Sequence, residues 1–64
     1  MSASYDVEGK DGVFVIAEQT GKVIGVFYAE SDLGWWRGHV RGRVRRLFIP
    51  AAEPLDVGRR FLSP

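Results

Sequence analysis

Apolar and polar positions along this 64-residue chain alternate in short runs and never recur at helical spacing for long. β-branched and aromatic residues gather between glycine-containing breaks, which is the pattern of several short strands. Val13-Phe14-Val15-Ile16 follows Asp11-Gly12, a turn pair in which glycine accepts a positive φ. Thr20-Gly21-Lys22 breaks that strand, and residues 23–28 form the next, where Gly25 marks a bulge or a close approach of backbone. Ser31-Asp32-Leu33-Gly34 reads as a polar loop. Residues 35–40 and 43–49 then make a hairpin around the two-residue turn Arg41-Gly42. Pro50 and Pro54 end the last strand, because proline cannot donate to a ladder.

Strand side chains alternate between faces. Trp36, Gly38 and Val40 therefore share one face, with the composition of a core and room left at Gly38 for a large neighbour. Trp35, Arg37, His39 and Arg41 share the other and should meet solvent. In the following strand Val44 is expected to point inward, which leaves Leu47 and Ile49 out of phase; a bulge near Arg45-Arg46 would restore the register. The tail over residues 51–64 has two outcomes. Its Leu55, Val57, Phe61 and Leu62 dock on the barrel or add a final strand, and Pro54, Gly58 and Pro64 argue against a long helix.

Length limits the chain to one domain, since a chain this short buries only about 60% of the surface it exposes when unfolded. At 45% hydrophobic and 27% charged, the composition is globular. No cysteine is present, so no disulfide or thiolate metal site can staple the fold, and a reducing cytoplasmic setting is compatible. No apolar run approaches the roughly 20 residues of a membrane span, and no signal-type apolar segment follows Met1. The expectation is a soluble, cytoplasmic, unprocessed protein.

Charge alters this picture more than composition does. Net charge is +1, yet residues 1–34 sum to −4 and residues 35–64, whose seven basic groups are all arginine, sum to +5. Such asymmetry marks contact surfaces or halves that neutralise one another across a sheet. Arginine suits planar, bidentate contacts better than lysine does. Arg41, Arg43, Arg45 and Arg46, with Arg37 and Trp35 beside them, raise a nucleic-acid alternative, because small barrels that bind single strands combine a cationic groove with stacking aromatics. A sequence pI near 8.2 lies below the value above 9 usual for such domains.

Catalytic material is sparse. His39, the single histidine, falls on the solvent face among arginines. Asp6, Glu8 and Asp11 do not have a calcium-loop spacing and read as a solvated acidic loop. A metal site would have to be built almost entirely from carboxylates. Gly34, Gly38 and Gly42 recur inside a strand-turn-strand, not ahead of a helix, and match no phosphate loop. The expectation is a non-enzymatic chain with no cofactor and no metal.

Trp35-Trp36-Arg37-Gly38, then Gly42-Arg43-Val44, then Leu47-Phe48 and Pro50, resemble the second half of an SH3 domain. Ala3-Ser4-Tyr5-Asp6-Val7 is similar to that family's Ala-Leu-Tyr-Asp-Tyr opening, and Ile24-Gly25-Val26 with Glu30-Ser31-Asp32 and Gly34 resembles its n-Src region. The resemblance covers about residues 3–50 and implies an all-β, five-stranded SH3-like barrel. It also implies an adaptor-type module that binds a protein or peptide, proline-rich in that family, because polyproline II ligands are pre-extended for aromatic grooves. On that reading Tyr5, Trp35 and Pro50 line the groove, and Glu8 and Asp11 sit in an RT-type loop that meets a ligand's basic residue. Val7 and Ala52 stand where groove tyrosines are expected, and Arg45-Arg46 adds a residue. A third alternative is assembly, with the tail or the altered groove pairing with another copy.

Overall fold

The computed structural model describes residues 5–50 and 53–63. Ala3 and Ser4 of the opening motif, and Ala51 and Ala52 after Pro50, lie outside the described residues. Five antiparallel strands form one sheet in the order β1-β2-β3-β4-β5. They are β1 (Tyr5–Lys10), β2 (Val13–Glu18), β3 (Val23–Ala29), β4 (Trp35–Val40) and β5 (Arg43–Phe48), followed by helix α1 (Pro54–Leu62). The domain is a small all-β fold, as expected from the strand pattern.

Turn chemistry sets the connections. Asp11-Gly12 and Arg41-Gly42 both place two consecutive residues at positive φ (55° and 80°, 53° and 77°), the geometry whose twist matches paired strands. The acidic stretch over Asp6 and Glu8 is strand, not loop: β1 pairs with β2 from Tyr5↔Glu18 to Lys10↔Val13. Consequently Glu8 lies in an edge strand and Asp11 in a two-residue turn, and no long RT-type loop separates them.

The inner face is made by Val7, Phe14, Ile16, Phe27, Trp36, Val40 and Leu47, on which α1 lays Val57 and Phe61. Phe27 is fully buried at the centre. Its ring centroid lies 5.3 Å from Phe14, 5.9 Å from Trp36 and 5.6 Å from Phe61. Burial of one such side chain contributes about 1.5–3 kcal/mol, and each aromatic pair adds about 0.5–1.5 kcal/mol. No polar or charged side chain is buried among the described residues, so this core rests on apolar packing.

Of the two outcomes open to the tail, docking is the one observed, through a short helix over residues 54–62 that lies on the sheet. Pro54 sits in its first turn, where a missing N–H is harmless. Gly58 lets the helix approach β1, since a Cβ there would stand 3.0 Å from a Val7 methyl. Two expectations need correction. Val44 points outward, not inward, and is 65% exposed. β4 and β5 pair without interruption from Trp35↔Phe48 to Val40↔Arg43, so there is no bulge at Arg45-Arg46. Arg43 and Arg45 instead occupy the helix side of this edge strand, a known device against unwanted edge pairing. The register shift lies between Ile16 and Ala17, opposite Gly25.

Gly38 sets how closely the helix approaches the sheet, and Gly25 relieves crowding between the paired strands β3 and β4. A Cβ on Gly38 would lie 2.7 Å from the Phe61 ring, and one on Gly25 would lie 2.6 Å from a Val40 methyl and 2.9 Å from the Val40 Cα. The ring of Phe61 can shift, whereas the paired backbone of Val40 cannot. Gly25→Ala should therefore destabilise more than Gly38→Ala, within the roughly 1–3 kcal/mol of overpacking. Phe61→Ala should lose about 3–5 kcal/mol, most of the roughly 3–10 kcal/mol a domain of this size holds. Urea denaturation of the three variants checks that order.

Candidate interaction surface

Among the described residues, none forms a second layer over the outer face of the sheet. Across its strands it presents Val13, Val26, Tyr28, Val44 and Phe48, all more than a third exposed, with Arg37, His39 and Arg46 among them. At the end where β4 begins, the register sets Trp35 directly opposite Phe48. Their rings are tilted at 53° with centroids 5.3 Å apart. Arg46 stacks its guanidinium 4.1 Å from the Trp35 ring centre, so Trp35 is half-covered. At exposed sites such a contact is weakly attractive, and its effect here is to fix the position of the ring.

Carboxylates of the β3–β4 loop hold that guanidinium in place. Arg46 Nε donates to Glu30 Oε2 at 2.7 Å, and Nη2 donates to Asp32 Oδ2 at 3.4 Å. Arg37 Nε stands 3.7 Å from the same Glu30 oxygen. Backbone bonds fix the loop itself: Glu30 N–H donates to Trp35 O, Trp35 N–H to Asp32 O and Ile49 N–H to Gly34 O. Trp36 Nε1 donates to Ile49 O at 3.2 Å, tying the inner side of β4 to the exit of β5. Leu33 stands at the loop tip, 96% exposed, and Phe48 is 52% exposed. Between loop and exit lies an apolar cleft of about 500 Å³ lined by Leu33, Trp36, Phe48 and Pro50 among others.

The expected groove residues are not assembled in one place. Trp35 and Pro50 lie at the same end of the sheet, although the cleft beside Pro50 is lined by Trp36 and not by Trp35. Tyr5 is at the opposite end, paired with Glu18, where its hydroxyl accepts a hydrogen bond from Arg41 Nη2 at 2.9 Å. Glu8 and Asp11 border a separate concavity with Val13 and Val15 beside the β1–β2 turn. The arginines also divide. Arg37 and Arg46 lie on the outer face with Trp35, while Arg43 and Arg45 lie on the helix side and Arg41 in the turn at the far end. Trp35 therefore offers no stacking platform to Arg41, Arg43 and Arg45. His39 is exposed between Val26 and Val44. Among the described residues no group of three or more metal-ligating side chains converges, and no helix is long and apolar enough to cross a membrane.

No protein-family model, curated protein or solved structure matches this chain in comparison. The residues of the site carry its interpretation by themselves.

Hydrogen bonding from Arg46 holds the Glu30 carboxyl below its ordinary value of 4.5. Partial burial pushes the other way, and the charges of Arg46 and Arg37 add to the lowering. Because the folded value is the lower one, the clasp stabilises fully above about pH 4.5 and loses that contribution as pH falls through the folded value. The stability gap between wild type and Glu30→Gln should be constant over roughly pH 5–7 and should close below that range, as followed by urea denaturation at each pH.

Proposed function

We propose that this domain is a non-enzymatic binding module that holds a protein or peptide segment at the Trp35 end of its sheet. Leu33, Phe48 and Pro50 form the contact, with Trp35 packed behind Phe48. The observation that carries this reading is the pairing of an almost fully exposed Leu33 with an exposed Phe48 on either side of a cleft whose frame is hydrogen-bonded. Large apolar groups exposed side by side on a fixed frame are what interface anchors require, because little rotamer or loop entropy is lost on docking.

Five antiparallel strands with paired tryptophans in β4 are compatible with a small SH3-like barrel, and a proline-rich segment is the ligand chemistry this suggests. A polyproline II strand arrives already extended and lays apolar rings on aromatic rails. Its path differs from that of the familiar groove, running along Leu33, Phe48 and Pro50 and leaving Tyr5 out.

Titration with a proline-rich peptide library, followed by tryptophan fluorescence and amide shifts, tests the proposal. Leu33→Ala and Phe48→Ala should each weaken binding by about tenfold or more, the size of an anchor loss, with the urea midpoint nearly unchanged for Leu33→Ala and lowered for Phe48→Ala, whose ring packs on Trp35. Undiminished binding in both variants, or shifts confined to β1 and β2, would refute it.

A further inference from the structure

Seven arginines are present in the chain, and their partners divide them into two groups. Arg37 and Arg46 meet Glu30, with Asp32 also on Arg46, and Arg59 meets Asp56. Arg41, Arg43, Arg45 and Arg60 have no carboxylate within ion-pair distance among the described residues. Three of these four line one concavity of about 350 Å³, between the C-terminal end of α1 and the helix side of β5.

The cleft follows from the fold. Helix α1 packs over β1 and β4 and places the Phe61 ring on Gly38, so it meets the edge strand β5 mainly through Arg45 at its C-terminal end. On that edge strand the helix-side positions are Arg43 and Arg45, paired with Val40 and Gly38. Neutral acceptors hold two of the guanidinium groups in position. Arg45 Nη1 donates to Ser63 O at 2.7 Å and to Phe61 O at 3.4 Å, satisfying carbonyls at the negative end of the helix. Arg41 Nη2 donates to the Tyr5 hydroxyl. Both side chains are thereby anchored by neutral acceptors, and Arg43, between them in the chain, has no side-chain hydrogen bond among the described residues. Edge protection alone would account for charge on β5. It does not account for three arginines, none with a carboxylate partner among the described residues, lining one cleft together with Val40, Phe61 and Leu62.

We propose that this cleft is a binding site for a small organic anion that carries a phosphoryl head on an apolar body. The head sits on Arg41, Arg43 and Arg45, whose planar donors match phosphoryl oxygens two at a time, and the body lies on Phe61 and Leu62. The volume falls in the range of small-ligand sites and is too small for a folded partner. This site is distinct from the apolar contact at Leu33 and Phe48 and lies on the other side of the sheet.

Phenyl phosphate, inorganic phosphate and a short single-stranded oligonucleotide serve as probes of the 64-residue chain, followed by amide and arginine Nε–H shifts. Phenyl phosphate should shift the signals of Arg43, Arg45, Phe61 and Leu62 and bind several-fold tighter than inorganic phosphate. Arg43→Gln, which removes the charge of a side chain with no hydrogen bond or ion pair among the described residues, should weaken it by about tenfold, the loss of one charged contact. Lys10→Gln, an equal change of charge on β1, should leave it unaltered. Equal weakening by both variants, equal affinity for both phosphates, no shift at Arg43, or binding of the oligonucleotide alone with a steep salt dependence would each overturn the proposal.

Discussion

The ring of Phe61 lying against Gly38 is the contact on which the rest of this domain depends. A five-stranded sheet has two faces to protect from water, and among the described residues a single nine-residue helix covers one of them. Absence of a side chain at position 38 lets the helix come close enough for Phe61 to complete the cluster of Phe14, Phe27 and Trp36. One face is thereby closed and the other left open. That asymmetry, more than any single polar group, creates the surface available for binding.

The open face is ordered by charge. Glu30 draws Arg46 across Trp35, and the loop carrying Glu30 is pinned to β4 and to the exit of β5 by backbone hydrogen bonds. Surface ion pairs of this exposure add little to stability. Their effect here is geometric: they fix an aromatic pair and an exposed leucine in one arrangement. The uneven charge of the two halves of the sequence is partly resolved in this way, acidic β3–β4 loop against basic β5. The remainder of the imbalance lies in arginines with no carboxylate partner among the described residues.

Much of the fold was legible because strands announce themselves by a period of two. The boundaries of β2 to β5, the inward Trp36 and the outward Trp35 follow from that alternation and from glycine turns. Three features were hidden by residues whose local preference was overridden. Asp6 and Glu8 resemble a loop, yet they are the solvent-facing members of an edge strand whose other members include Val7. Val44 resembles a core residue, but the two-residue turn at Arg41-Gly42 fixes every pair of the hairpin and sends it outward with His39. Pro54 and Gly58 resemble helix breakers; one occupies the first turn and the other provides a close approach. The candidate site was legible only in part. Trp35 was visible from strand phase, whereas Phe48 and Leu33 emerge only when register and loop geometry are known. The same turn rule that corrects Val44 would have found Phe48.

Native-state amide hydrogen exchange tests most directly whether the helix is the second layer of one cooperative unit. Amides of residues 57–61 should exchange with the same opening free energy as those around Phe27 in β3, because neither can remain packed without the other. Fast exchange across α1 with the sheet still protected would contradict the account, showing a sheet that stands without its helix.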